Sequence, residues 1–143
     1  MDKKEFKKAI KEVTEEYGFK YIQKGYYYMK DDLIIVLDLQ KSDYRDAYYL
    51  NYGYLIKELQ PDALYPKTYT CDINGRIVIM YEGEECHYIQ YSDLEASIFK
   101  EALKIEINKI ILPVIQDGLI NYYKLHPEKL CIVSSKVKQY LGI

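Results

Sequence analysis

The chain has no tryptophan, only three phenylalanines and two arginines, and three cysteines without a CxxC pair. Each shortage excludes something. An odd, unpaired cysteine set (Cys71, Cys86, Cys131) does not make a disulfide framework, and a reduced, cytoplasmic setting is the expectation. With His87 and His126 as the whole histidine complement and no HxxxH, no zinc site is expected. The glycines stand singly at 18, 25, 53, 75, 83, 118 and 142, so no phosphate-cradling loop is present. No GxSxG surrounds any serine, and no nucleophile–base pair is in evidence. We therefore expect no catalytic residues, no metal and no cofactor. No apolar run approaches the ~20 residues of a membrane helix. The densest stretch, 105–120, is interrupted by Glu106, Asn108, Lys109, Pro113, Gln116 and Asp117. The polar start Met1-Asp2-Lys3-Lys4-Glu5 is unlike a secretion signal.

What is abundant is tyrosine, at 18 residues, and lysine, also at 18. An A/T-rich genome accounts for lysine, but it would raise phenylalanine as well. The excess of hydroxyl-bearing rings over plain ones points to aromatic surface that keeps its tips in water or hydrogen-bonded. With 143 residues, 49% hydrophobic and 29% charged, the chain is expected to form one α+β domain over 1–143. The net charge of −2 argues against nucleic acid as a partner.

Asp2 and Glu5 form a capping box, and Phe6, Ile10, Val13 and Tyr17 recur at helical spacing up to Gly18. Residues 3–17 therefore read as an amphipathic helix. Its five lysines at 3, 4, 7, 8 and 11 oppose the helix dipole. An antiparallel meander of five to six strands is expected next. Residues 19–28 read as extended, and Asp31-Asp32 as a turn. Residues 33–40 read as a central strand, and 47–56 as another, with Tyr48, Leu50, Tyr52 and Tyr54 on one face and Tyr49, Asn51 and Gly53 on the other. Asn74-Gly75 predicts a hairpin joining 69–73 to 76–80, and 86–91 reads as a further strand. Ser92 and Glu95 predict a second capping box ahead of a helix over 93–112. Pro113 kinks or ends that helix, a further helical piece runs over 114–125, and a short helix spans 135–141. Helices are expected on one face of the sheet.

Among chemistry-bearing residues, Cys86 and His87 are neighbours, but adjacent strand positions point to opposite faces. The run Glu82, Glu84, Glu85, Asp93 and Glu95 reads as a solvated turn and helix start. The best candidate binding set is Gln40, Ser42, Arg45, Tyr49, Asn51, Tyr52 and Arg76, because amides, guanidinium groups and rings at one end of a sheet make a recognition surface. The bland alternative is that Gln40 and Asn51 satisfy loop backbone and that Arg76 pairs with Asp72. Three uses follow. The first is a non-enzymatic module binding a protein partner, such as an adaptor or an immunity-type inhibitor, or a second copy of the chain. The second is a small enzyme or nucleotide-binding protein with a pocket at Gln40, Ser42, Asn51 and Arg76. The third is single-stranded nucleic-acid binding through sheet tyrosines.

The order of Tyr17-Gly18-Phe19, then 37–42 (LDLQKS), then 49–53 (YLNYG), then Cys71 with Arg76, then Leu112-Pro113-Val114 resembles the bacterial domain-of-unknown-function family 4304. Many of its members carry a Trp after the hairpin, where this chain has Tyr88 or Tyr91. The resemblance brings no settled activity and no catalytic residues to carry over to this chain.

Overall fold

The computed structural model describes residues 1–143 and divides into two compact units, Met1–Glu106 and Ile107–Ile143. The fold is α+β: an N-terminal helix, a five-stranded antiparallel sheet and C-terminal helices.

Helix α1 (Lys3–Glu16) starts at the expected capping box. The Asp2 carboxylate accepts from Glu5 N–H at 2.7 Å, and the Glu5 carboxylate accepts from Asp2 N–H at 3.2 Å. Its buried stripe is Phe6, Ala9, Ile10, Val13 and Thr14, and the buried Thr14 hydroxyl donates to Ile10 O at 2.9 Å. Gly18, at φ 92°, turns the chain out of the helix.

The sheet is a meander in chain order: β1 (Lys20–Ile22), β2 (Gly25–Lys30), β3 (Leu33–Lys41), β4 (Tyr48–Ile56) and β5 (Ile73–Arg76). A separate two-stranded hairpin joins β6 (Ile79–Tyr81) to β7 (Glu84–Cys86). Gln23 and Lys24 link β1 to β2 in two residues, both with positive φ (51° and 67°), where Asn-Gly is the favoured pair. Changing both to Asn-Gly is expected to relieve about 1 kcal/mol of backbone strain. Melting temperature should then rise by about 3 °C, readable by differential scanning calorimetry.

Leu33, Ile35 and Leu37 face one side of the sheet together with Tyr54 and Ile56, and all five are buried. On this side Phe6 of α1 lies among Tyr48, Tyr91 and Phe99, with ring centroids 5.6, 5.3 and 5.5 Å away. The opposite side carries a smaller core of Tyr27, Ile34, Val36, Leu55 and Cys71, against which Ile22 and Ala63 pack. Segment 57–72 covers it.

Several expectations change. Asn74-Gly75 is not a hairpin turn. It lies inside β5, with Asn74 opposite Gly53 and Gly75 opposite Tyr52, while Thr68–Thr70 forms a 3-10 turn. The ring of Tyr52 occupies the space beside Gly75, and a methyl group there would come within 2.7 Å of the tyrosine oxygen. The glycine serves ring packing across the strands, so its turn propensity is overridden. The stretch 86–91 is not a strand either. Strand β7 ends at Cys86, and only Ile89 bridges to Tyr48 before a 3-10 turn over Tyr91–Asp93. That turn takes Ser92 away from a capping position. Helix α2 (Ala96–Ile110) begins later, where Glu95 N–H donates to the Tyr81 hydroxyl at 3.0 Å and Ser97 Oγ donates to the Glu95 carboxylate at 2.9 Å.

Beyond α2 the chain forms α3 (Leu112–Asp117), α4 (Leu119–Leu125) and α5 (Ser135–Leu141). Pro113 sits in the first turn of α3, where its missing N–H costs nothing. Gly118, at φ 86°, splits the expected 114–125 piece in two. Within this unit Lys129 Nζ donates to the Tyr122 hydroxyl at 2.6 Å, and Ser134 caps α5. No helix is long and apolar enough to cross a membrane.

Candidate functional site

Antiparallel register brings three strands' polar residues to one end of the sheet, on the side of the smaller core. Gln40 of β3 lies opposite Tyr49 of β4, Asp38 opposite Asn51, and Asn51 opposite Arg76 of β5. Side chains of Asp38, Gln40, Tyr49, Asn51, Asn74 and Arg76 therefore share one face. Asn51 Nδ2 donates to Gln40 Oε1 at 3.1 Å. The Arg76 guanidinium lies over the Tyr49 ring, 3.8 Å from its centroid. The alternative pairing with Asp72 is not formed, because the Asp72 carboxylate accepts from Ile56 N–H at 2.7 Å and from Gln60 Nε2 at 3.1 Å.

Gln40, Asn51, Thr68, Tyr69, Asn74, Gly75 and Arg76 line an open concavity of 340 Å³. Tyr69 stands over its rim with 80% of its surface exposed. Asn51 Oδ1 and Gln40 Nε2 have no protein partner, and the Arg76 charge meets no carboxylate. The concavity thus offers an acceptor, a donor, a cation and the Tyr69 ring, with the Tyr49 ring beside it under Arg76.

The other named residues lie elsewhere. Ser42 is buried in the β3–β4 loop, where its N–H donates to Ala47 O at 2.9 Å and its Oγ accepts from Tyr44 N–H at 3.3 Å. It closes the loop and does not join the concavity. Arg45 stacks on Tyr88 at 4.2 Å, outside the concavity. Tyr52 faces the opposite side of the sheet, over Gly75 and against Tyr54 at 5.6 Å. The set of seven therefore divides: Gln40, Tyr49, Asn51 and Arg76 come together, and Ser42, Arg45 and Tyr52 do not.

Two structural residues that the periodicity does not reveal hold this face in shape. The Asp38 carboxylate accepts from Thr68 N–H at 3.0 Å and from Thr68 Oγ1 at 2.9 Å, clamping segment 57–72 to the sheet. Close approach of that segment needs Gly53, since a methyl group there would come within 2.7 Å of Cys71 Sγ and 3.2 Å of Thr68 Cα. Burial, with the nearby Asp72 and Asp38 carboxylates, pushes the Cys71 thiol up to about 12. Burial, and then Asp38, pushes the Tyr27 hydroxyl up to about 12, and that hydroxyl donates to Pro66 O at 2.9 Å. Both groups are therefore neutral in the physiological range and act as packing. Asp38→Ala is expected to lose two charge-assisted hydrogen bonds and about 2–3 kcal/mol of stability, as read by urea denaturation.

Elsewhere, Glu82, Glu84, Glu85 and Asp93 border a concavity of 480 Å³ with His87, Tyr88 and Tyr81. His87 Nε2 lies 3.2 Å from the Glu85 carboxylate. No group of three His, Cys, Asp or Glu side chains is arranged to hold a metal ion.

No curated protein and no solved structure matches the chain. A family model, "Domain of unknown function (DUF4304)", matches residues 10–117. The match covers α1 from Ile10 onward, the whole sheet with its Gln40–Asn51–Arg76 cluster, the β6–β7 hairpin, α2 and α3. By this match the chain belongs to the DUF4304 family of domains of unknown function.

Proposed function

We propose that this protein is a non-enzymatic binding module, which recognises a protein partner through the sheet face bearing Tyr49, Asn51, Tyr69 and Arg76. The observation that carries this reading is the Arg76 guanidinium stacked 3.8 Å from the Tyr49 ring centroid, on two hydrogen-bonded strands. Tyrosine and arginine dominate the energetics of protein interfaces. Strands hold them in place before binding, so little side-chain entropy is lost on association. The concavity is open rather than enclosed, which suits a protruding side chain of a partner better than an engulfed small molecule. Gln40 and Asn51 supply amide groups for its backbone, and Arg76 supplies a cation for a carboxylate. An inhibitor of a cognate toxin is one concrete form, by analogy with other small α+β immunity proteins.

A photo-crosslinking amino acid at position 69, introduced in the producing cells, tests the reading. One discrete protein adduct is expected from position 69 and none from a control at position 82, on the β6–β7 turn. Equal labelling from both, or none at 69, overturns it.

A further inference from the structure

The net charge of −2 conceals a segregation of charge. The lysines of α1 do not point into open water alone. Lys4, Lys7, Lys8 and Lys11 form one wall of a cleft of 440 Å³, Lys24 of the β1–β2 turn closes an end, and Tyr21, Tyr26, Leu39 and Tyr48 make the floor. The cleft runs across β1, β2, β3 and β4, on the opposite side of the sheet from the Arg76 face. Tyr21 is 47% exposed, and its ring is backed by Tyr26 at 4.9 Å. Lys3, Lys7 and Lys41 lie 5.9, 5.7 and 5.2 Å from the centroid of the Tyr48 ring.

Carboxylates neutralise this cluster only in part. Lys8 and Lys11 reach Glu12 and Glu15 at 3.9 Å, and Lys41 pairs with Asp46 at 2.6 Å. Glu12 is more closely engaged with Lys100, whose hydrogen bond holds its carboxyl below the ordinary value. Lys4, Lys7 and Lys24 have no carboxylate partner. Lysines concentrated in the first half of a helix oppose its dipole and destabilise it slightly. Among the α1 lysines only Lys3 and Lys7 lie over a buried ring, that of Tyr48, so packing does not account for Lys4, Lys8 and Lys11.

The geometry points to this cleft as a binding site for single-stranded nucleic acid, with phosphates along the α1 lysines and a base stacked on Tyr21. Lys4, Lys7, Lys8 and Lys11 fall at about two per 5.4 Å helical turn, a ladder of point charges that tracks a phosphate backbone. The cleft contains no arginine, the residue whose planar fork fits carboxylates. Of the floor's rings Tyr21 is the exposed one, and its face accepts any base but gives no special purchase to an acidic peptide.

Fluorescence anisotropy with a short labelled oligothymidylate at low salt reads the prediction. Neutralising three to four phosphates gives a slope of log K against log salt of about −2 to −3. Lys4→Gln/Lys7→Gln/Lys11→Gln is expected to flatten that slope by about two. Tyr21→Ala should weaken binding roughly five- to a hundredfold with the slope retained. All four side chains are surface residues, and circular dichroism checks the fold. Arg76→Ala should leave oligonucleotide affinity unchanged, which separates this site from the protein-binding face. No binding at low salt, binding that the triple variant leaves intact, or tighter binding of a polyglutamate peptide than of the oligonucleotide overturns the assignment.

Discussion

Phe6→Ala is expected to destabilise the protein by about 3–5 kcal/mol, a large part of the 5–15 kcal/mol that typically holds a domain folded. The Phe6 side chain is fully buried and is the meeting point of four elements: α1, Tyr48 of β4, the turn at Tyr91, and Phe99 of α2. Removing its ring strips contacts from three other rings at once, and those rings are held from several directions. The space cannot collapse, so a cavity cost adds to the lost burial. Phe6→Leu, which retains most of the volume, should cost clearly less. Urea denaturation followed by circular dichroism gives both values. A loss below about 1 kcal/mol for Phe6→Ala would mean that α1 does not anchor the main core.

Arg76→Ala is expected to weaken partner binding by about 2 kcal/mol or more, roughly thirtyfold, the scale of an interface hot spot. Stability should hardly change, because Arg76 is exposed and its stack on Tyr49 contributes only about 0.5–1 kcal/mol. Arg76→Lys should not restore affinity, since an ammonium group cannot reproduce the planar stack and the fork of donors. Tyr49→Ala should weaken binding too, and the double variant should lose less than the sum of the two singles, because ring and guanidinium act as one unit. Titration calorimetry with the crosslinked partner, once purified, provides these numbers. Additive losses would mean that the two side chains contact the partner independently.

Local signals served well where local chemistry decides the outcome. The Asp2–Glu5 box and the spacing of Phe6, Ile10 and Val13 specify α1. Alternation over 33–40 and 48–56 specifies the two longest strands and places Asn51 on a different face from Tyr52. They failed where a distant partner outweighs the local preference. Asn74-Gly75 has the strongest turn signature in the chain, yet it pairs with β4 because Tyr52 needs the space beside Gly75. The serine and glutamate at 92 and 95 have capping-box spacing, but a 3-10 turn at Tyr91 shifts the helix start to Ala96. The same limit divides the site. Gln40 and Asn51 meet through a register that alternation makes readable, whereas Arg76 joins them only through β5, which the hairpin reading displaced. Asp38 and Thr68 are 30 positions apart, and no periodicity marks a clamp across that separation. Ser42 stands apart because its loop consumes both its N–H and its oxygen, a local closure that residue type alone does not mark.

Recognition through the Tyr49–Arg76 face is tested by quantitative affinity capture from the producing cells, with the wild-type chain and the Tyr49→Ala/Arg76→Ala double variant as parallel baits. Matched circular dichroism and unfolding curves show that both baits are folded. One protein is expected in stoichiometric amount on the wild type, depleted at least tenfold on the variant, about 1.4 kcal/mol or more. Equal recovery on both baits would contradict it and remove the Tyr49–Arg76 face as the recognition surface.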